Sequence, residues 1–193
     1  MVDGVILVVD AYEGTMPQTR FVLKKALAAK AKPIVVINKV DKESARCAEV
    51  VDEVLELFID LGADEEQLEF PVVYASAING TSSLSDDLST QTPGFTELLD
   101  LIISEIPAPS GSEEEDLQFQ PALLDYNDYV GRIGVGRVHN GKIKVGQMVN
   151  CHRLDGTTKQ FRVQKLFGYI GLKKIEIEEA CAGDICAVAG LPD

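Results

Sequence analysis

"PIVVINKVDK" occupies residues 33–42, a run of Val and Ile that ends in an amide, an amine and a carboxylate. So dense an apolar, β-branched stretch predicts a strand covered on both faces, as in a parallel sheet with helical crossovers. Polar groups at the carboxyl end of such a strand stand where open α/β sheets hold their ligands. The surrounding sequence repeats the unit. "VDGVILVVDA" (2–11) predicts a buried strand, and Thr15 with Pro17 a helix start before "RFVLKKALAAK". After 33–38, Ser44 is placed to cap a helix whose Val51, Val54, Leu55 and Phe58 fall at i, i+3, i+4 and i+7 and which Gly62 ends. "FPVVYASA" (70–77) predicts a third strand. Phe95, Leu98, Leu99, Ile102, Ile103 and Ile106 then form one apolar helical stripe stopped by Pro107. Strand and helix in alternation predict a parallel sheet. The stretch 81–94, "TSSLSDDLSTQTPG", reads as a polar loop.

Beyond an acidic, solvated linker at 108–116 the hydrophobic period changes to two. "RIGVGRV", "KIKVGQMV" and "KQFRVQKL" alternate, with Gly-Lys, Asp-Gly and Gly-Asp turn signals. The expected architecture is therefore α/β plus all-β: residues 1–107 in the first domain, and 117–193 in a small antiparallel β-barrel. Of the 193 residues, 46% are hydrophobic, enough for a proper core, and no apolar run approaches a membrane span. No membrane partner is expected. Four cysteines without a C-x-x-C pair, and two histidines, predict reduced thiols and neither a metal site nor a disulfide framework.

A net charge of −13 argues superficially against nucleic-acid partners, and no DNA partner is expected, but the charge is unevenly spread. Residues 1–110 carry 8 basic and 19 acidic side chains, a net of −11; residues 129–174 carry ten basic side chains and one acid, a net of +9. Arg132, Lys142, Lys144, Arg162 and Lys165, on alternating strands or in adjoining turns, are the candidates for a stripe facing an RNA backbone.

Asn38-Lys39-Val40-Asp41 suggests one ligand class. A rigid carboxylate at Asp41 can accept two N–H bonds from the N1–H and exocyclic amine of guanine, a pair that adenine does not present. The Lys39 stem would lie along the base with its ammonium free. Asn38 would fix neighbouring loops and meet the N7 edge, and Ser76-Ala77 would bring a backbone N–H towards O6. The competing reading makes Asn38 and Asp41 helix caps. The phosphate half of a nucleotide site is missing. "GRVHNGKI" (136–143) approaches a P-loop, but Ile143 replaces the Mg²⁺-binding hydroxyl and no helix follows; Gly141-Lys142 reads as a hairpin turn. "QTPGF" (91–95) and "DYVG" (128–131) are decoys of the D-x-x-G motif.

"DGVILVVDAYEGTMPQTRFV", "PIVVINKVDK", "FPVVYASAINGT", "LDYNDYVGRIGVGRV" and "GLKKIEIEEACAGDICAVAGL" together resemble the TypA/BipA family of translational GTPases over nearly the whole chain. The resemblance implies the C-terminal half of a P-loop GTPase domain followed by an elongation-factor-type β-barrel, with the P-loop, switch loops and catalytic His region upstream. It implies a cytoplasmic, ribosome-binding parent that hydrolyses GTP with Mg²⁺ and acts in stress adaptation and ribosome assembly. On this reading the chain is an internal piece. It keeps the guanine half of a GTP/GDP site at Asn38, Lys39, Asp41, Ser76 and Ala77, and a barrel facing small-subunit rRNA. It holds no catalytic residue and no metal ligand, and is expected to be inactive alone. The outer edge of the 2–11 strand, left unpaired, predicts an artefactual dimer. Two alternatives stay open: another translational GTPase such as elongation factor G or a LepA-like protein, and an RNA- or ribosome-binding barrel with no nucleotide role.

Overall fold

The computed structural model describes residues 1–192 and divides the chain into two compact units, Val2–Pro107 and Ala108 onward. The first unit runs β1 (Gly4–Asp10), α1 (Pro17–Ala28), β2 (Lys32–Asn38), α2 (Cys47–Asp60), α3 (Glu65–Leu68), β3 (Val72–Ser76), β4 (Thr81–Ser83), β5 (Thr92–Pro93) and α4 (Thr96–Glu105). Its sheet has the order β1-β2-β3-β4-β5. β1, β2 and β3 are parallel neighbours, and Asp10 stands beside Asn38, which stands beside Ala75. β2 is buried from Pro33 to Ile37 because both its faces are covered. Leu7, Val9, Val35 and Ile37 pack under Leu23, Val50, Val54, Leu57 and Phe58 of α1 and α2. On the opposite face Val36, Val73 and Ala75 meet Phe95, Leu98 and Leu101.

Four local readings of this unit are corrected. Residues 81–94 are not a plain loop: β4 pairs antiparallel with β3, and β5 with β4. Their polar residues are consistent with burial because they bond internally; the Ser82 hydroxyl is within hydrogen-bond reach of the Gly94 carbonyl at 3.0 Å and of a Glu97 carboxylate oxygen at 2.9 Å. α2 starts at Cys47, not after Ser44, with Arg46 at its N-cap position, and it buries Val50, Val54, Leu57 and Phe58 while Leu55 stays exposed. In α4, Leu98 and Leu101 face the sheet but Leu99 and Ile103 point outward. β1 is half-buried: Leu7 and Val9 are covered while Ile6 and Val8, opposite Ile34 and Val36 in register, are exposed.

The second unit contains β6 (Gln118–Asn127), β7 (Gly131–Asn140), β8 (Lys142–Lys144), β9 (Met148–His152), β10 (Thr158–Arg162), β11 (Lys165–Ile170), β12 (Lys173–Ile177), β13 (Glu179–Cys181) and β14 (Ile185–Ala189). They form a five-stranded sheet β12-β11-β14-β7-β6 and the pairs β9–β10 and β8–β13, antiparallel throughout. Val138, Ile143, Val163, Leu166, Ala180, Cys186 and Val188 make one core shared by these sheets. Gly141, at φ 71°, turns β7 into β8, but β8 pairs with β13, so this is a corner between sheets and not a hairpin. Its N–H donates to the Ser112 carbonyl at 2.8 Å.

Candidate functional site

The carboxyl ends of β2 and β3 bring the predicted base-binding residues together. Asn38 ends β2; its Oδ1 accepts the Ala77 N–H at 3.1 Å, tying the loop after β2 to the loop after β3. Val40 is fully buried, and its N–H reaches the Ala75 carbonyl at 3.3 Å, so the chain between Lys39 and Asp41 is pinned from below. That pinning leaves Lys39 and Asp41 exposed above the sheet end. Ser76 is buried, and its hydroxyl accepts the Asn79 N–H at 3.4 Å, shaping the turn that carries Ala77 and Ile78. A hollow of about 280 Å³ opens there, lined by Asn38, Lys39, Asp41, Lys42, Ala77 and Ile78.

Three residues here escaped the reading of the sequence. Ile78 is 86% exposed at the rim, an apolar side chain whose wetting costs free energy and which offers a planar ligand a flat aliphatic contact. Lys42 lines the same hollow. Asp10, at the end of β1 and in register with Asn38, binds the Lys39 ammonium at 2.6 Å and lies 3.7 Å from that of Lys42. The Lys39 ammonium is therefore paired, not free. Burial pushes the Asp10 carboxyl up, but the Lys39 ammonium and the Tyr12 and Glu13 N–H groups outweigh it and hold it well below the usual carboxylate range. The Ala77 N–H is also engaged, so a base oxygen there competes with Asn38 Oδ1. What sets Asp10 beside Asn38 is the parallel register of β1 and β2, which local sequence does not declare.

The five basic candidates lie on β7, β8, β10 and β11. Lys144 and Lys165 line a shared depression with Gln164, Glu176, Glu178 and Glu179. Lys144 pairs with Glu179 at 2.7 Å, Lys165 with Glu176 at 2.6 Å, and Lys142 with Glu113 at 2.6 Å. Arg162 Nε donates to the Gly146 carbonyl at 3.1 Å, and Arg132 lies at the start of β7. The charge count over 129–174 stopped just short of Glu176, Glu178 and Glu179, the acids that fold back onto this surface.

Among the described residues no group of three or more His, Cys, Asp or Glu side chains is arranged to hold a metal. Among the described residues no helix is long and apolar enough to cross a membrane.

Two family models match the chain: the elongation factor Tu GTP binding domain over residues 1–108 and elongation factor Tu domain 2 over residues 131–193. Among curated proteins, a large ribosomal subunit assembly factor BipA from Bacillus subtilis is 65% identical over the whole chain. BipA from Escherichia coli K12 is 50% identical over 99% of the chain, and BipA from Synechocystis 47% identical over all of it. The chain spans 31% of the length of the first two relatives and 32% of the third. The chain thus belongs to the elongation factor Tu GTP-binding family and, within it, to the BipA/TypA group.

Proposed function

We propose that this chain is the base-recognising part of a GTP site, followed by a ribosome-facing β-unit, in a cytoplasmic GTPase that assists ribosome assembly. The observation that carries the reading is the hollow at the ends of β2 and β3, where Asp41, Asn38, Lys39 and Ile78 converge. A carboxylate at Asp41 matches the paired N–H donors of guanine in a bidentate, charge-assisted contact. The Lys39 stem and Ile78 offer aliphatic faces to the flat ring, and Asn38 holds the two loops in register through Ala77. Ser76 supports the second loop from beneath.

Hydrolysis belongs to the whole protein. Phosphoryl transfer depends on phosphate-cradling N–H groups, a lysine and Mg²⁺. No P-loop sequence lies in residues 1–193, so the chain alone is expected to release no phosphate. On this reading the joint between domains falls at 108–116, and the β-unit from 117 meets ribosomal RNA. The relatives' name, large ribosomal subunit assembly factor, favours a large-subunit role for the protein beside the small-subunit contact expected of the barrel. The unpaired β1 edge supports self-pairing of the isolated chain.

The test is Asp41→Asn in the intact protein. Xanthine carries a carbonyl at C2, which an amide can meet and a carboxylate repels. GTP affinity is expected to fall about tenfold or more while xanthosine triphosphate gains. A variant that binds GTP as tightly as the native protein makes Asp41 a turn residue and ends the base reading.

A further inference from the structure

We infer that Asp10 is a positioning residue of the base site: it fastens the Lys39 ammonium so that the lysine stem forms one wall of the hollow. The inference rests on the guanine reading above and adds a residue outside the Asn38–Asp41 and Ser76–Ala77 segments.

Four observations carry it. First, Asp10 is held from two sides. Its Oδ1 accepts the Tyr12 N–H at 2.8 Å and the Glu13 N–H at 3.2 Å, while Oδ2 meets Lys39 Nζ at 2.6 Å. Second, the Asp10 side chain is only 11% exposed, so the carboxylate is a fixed anchor and not a mobile surface charge. Third, Asp10 and Asn38 are register partners on adjacent parallel strands, and the Ala11 N–H donates to the Asn38 carbonyl at 2.8 Å. The anchor and the loop it holds therefore share one rigid sheet. Fourth, Lys39 adopts φ 67°, a left-handed conformation that a side chain with a Cβ takes at a cost. That conformation persists because its surroundings hold it, and the ion pair to Asp10 is one such hold.

A lysine stem has four rotatable bonds and in solution samples many rotamers. Tethered at Nζ, it lines the same hollow as Ile78, and its charge is balanced before any ligand arrives. A planar base then meets carbon on both sides and binds without first ordering the lysine. The plainer role for Asp10 is to cap the turn at 11–14 through Oδ1, and the two roles are separable. Asp10→Asn keeps an oxygen for the Tyr12 and Glu13 N–H groups but cannot balance the Lys39 charge.

The experiment is an NMR titration of the 193-residue chain with GMP, using wild type, Asp10→Asn, Lys39→Met and the double variant. Lys39→Met retains an unbranched, mostly aliphatic stem and removes the ammonium, so in that background Asp10 has nothing to fasten. Asp10→Asn is expected to weaken GMP about fivefold, in line with a half-exposed ion pair, with the Tyr12 and Glu13 amide signals little moved. In the Lys39→Met background the same change is expected to have no further effect on affinity. Equal GMP affinity for wild type and Asp10→Asn overturns the inference, and so does the same loss in both backgrounds. Absence of GMP binding by wild type removes the base reading and this inference together, an outcome distinct from the other two.

Discussion

Phe58 offers a direct test of how the first unit holds its site. Its ring is fully buried in α2, against the face of the sheet that carries Leu7, Val9, Val35 and Ile37. It also stacks on Phe70, ring centroids 4.5 Å apart and tilted by 35°. Phe58→Ala removes that pair and leaves a hole under β2, the strand whose end carries Asn38, and a loss of about 3–5 kcal/mol is expected. The amide of Val35 is a suitable reporter, because it is buried and donates to the Pro71 carbonyl at 3.0 Å. Its hydrogen exchange requires opening of the sheet core, so at about 1.4 kcal/mol per tenfold the variant should exchange roughly 10² to 4 × 10³ times faster. Phe58→Leu, which refills most of the volume, is expected to cost no more than about 1.5 kcal/mol. Exchange at Val35 within about tenfold of wild type in Phe58→Ala would falsify the packing account, since the ring would then not be filling the space between α2 and the sheet.

Two further outcomes follow from charge. The Asp10 carboxyl titrates below its ordinary value of 3.8, so the stability it contributes is present above that value and is lost as pH falls from there towards its lowered folded value. Acid unfolding should accordingly flatten in this window in Asp10→Asn, and unchanged curves would refute the pairing with Lys39. Binding of the second unit's surface to ribosomal subunits is expected to weaken with salt. In Lys144→Gln/Lys165→Gln the log–log slope should fall by about two units or less, because both cations first leave Glu179 and Glu176. An unchanged slope, on small and large subunits alike, removes these lysines from the interface.

The legible parts of the sequence are those where one periodicity or motif dominates. The Val/Ile run of β2 predicts burial on both faces because nothing polar interrupts it, and the alternation of strand and helix predicts that β1, β2 and β3 run parallel. Asn38 and Asp41 are legible as a pair because the strand places them at its end. The β4–β5 hairpin was hidden by its own chemistry: Ser82, Ser83 and Thr92 read as solvated, yet the Thr92 hydroxyl donates to the Ser82 carbonyl, Ser82 and Thr92 both bond to Glu97, and Ser83 bonds to Thr90. The phase of α2 was ambiguous because Val50, Val51, Val54, Leu55, Leu57 and Phe58 permit two overlapping stripes, and only tertiary packing selects one. Pairings between distant residues were the least accessible. Asp10 with Lys39, and the glutamates of 176–179 with Lys144 and Lys165, depend on strand neighbours that local sequence does not declare.

The central claim is that the ends of β2 and β3 read a guanine base. The most direct measurement is an amide NMR titration of the 193-residue chain with GMP and, separately, AMP. Base contacts alone predict a GMP Kd of roughly millimolar, with shifts concentrated at Asn38, Lys39, Asp41, Ala77 and Ile78 and none comparable for AMP. Equal shifts with both nucleotides, or GMP shifts confined to other parts of the chain, would contradict it.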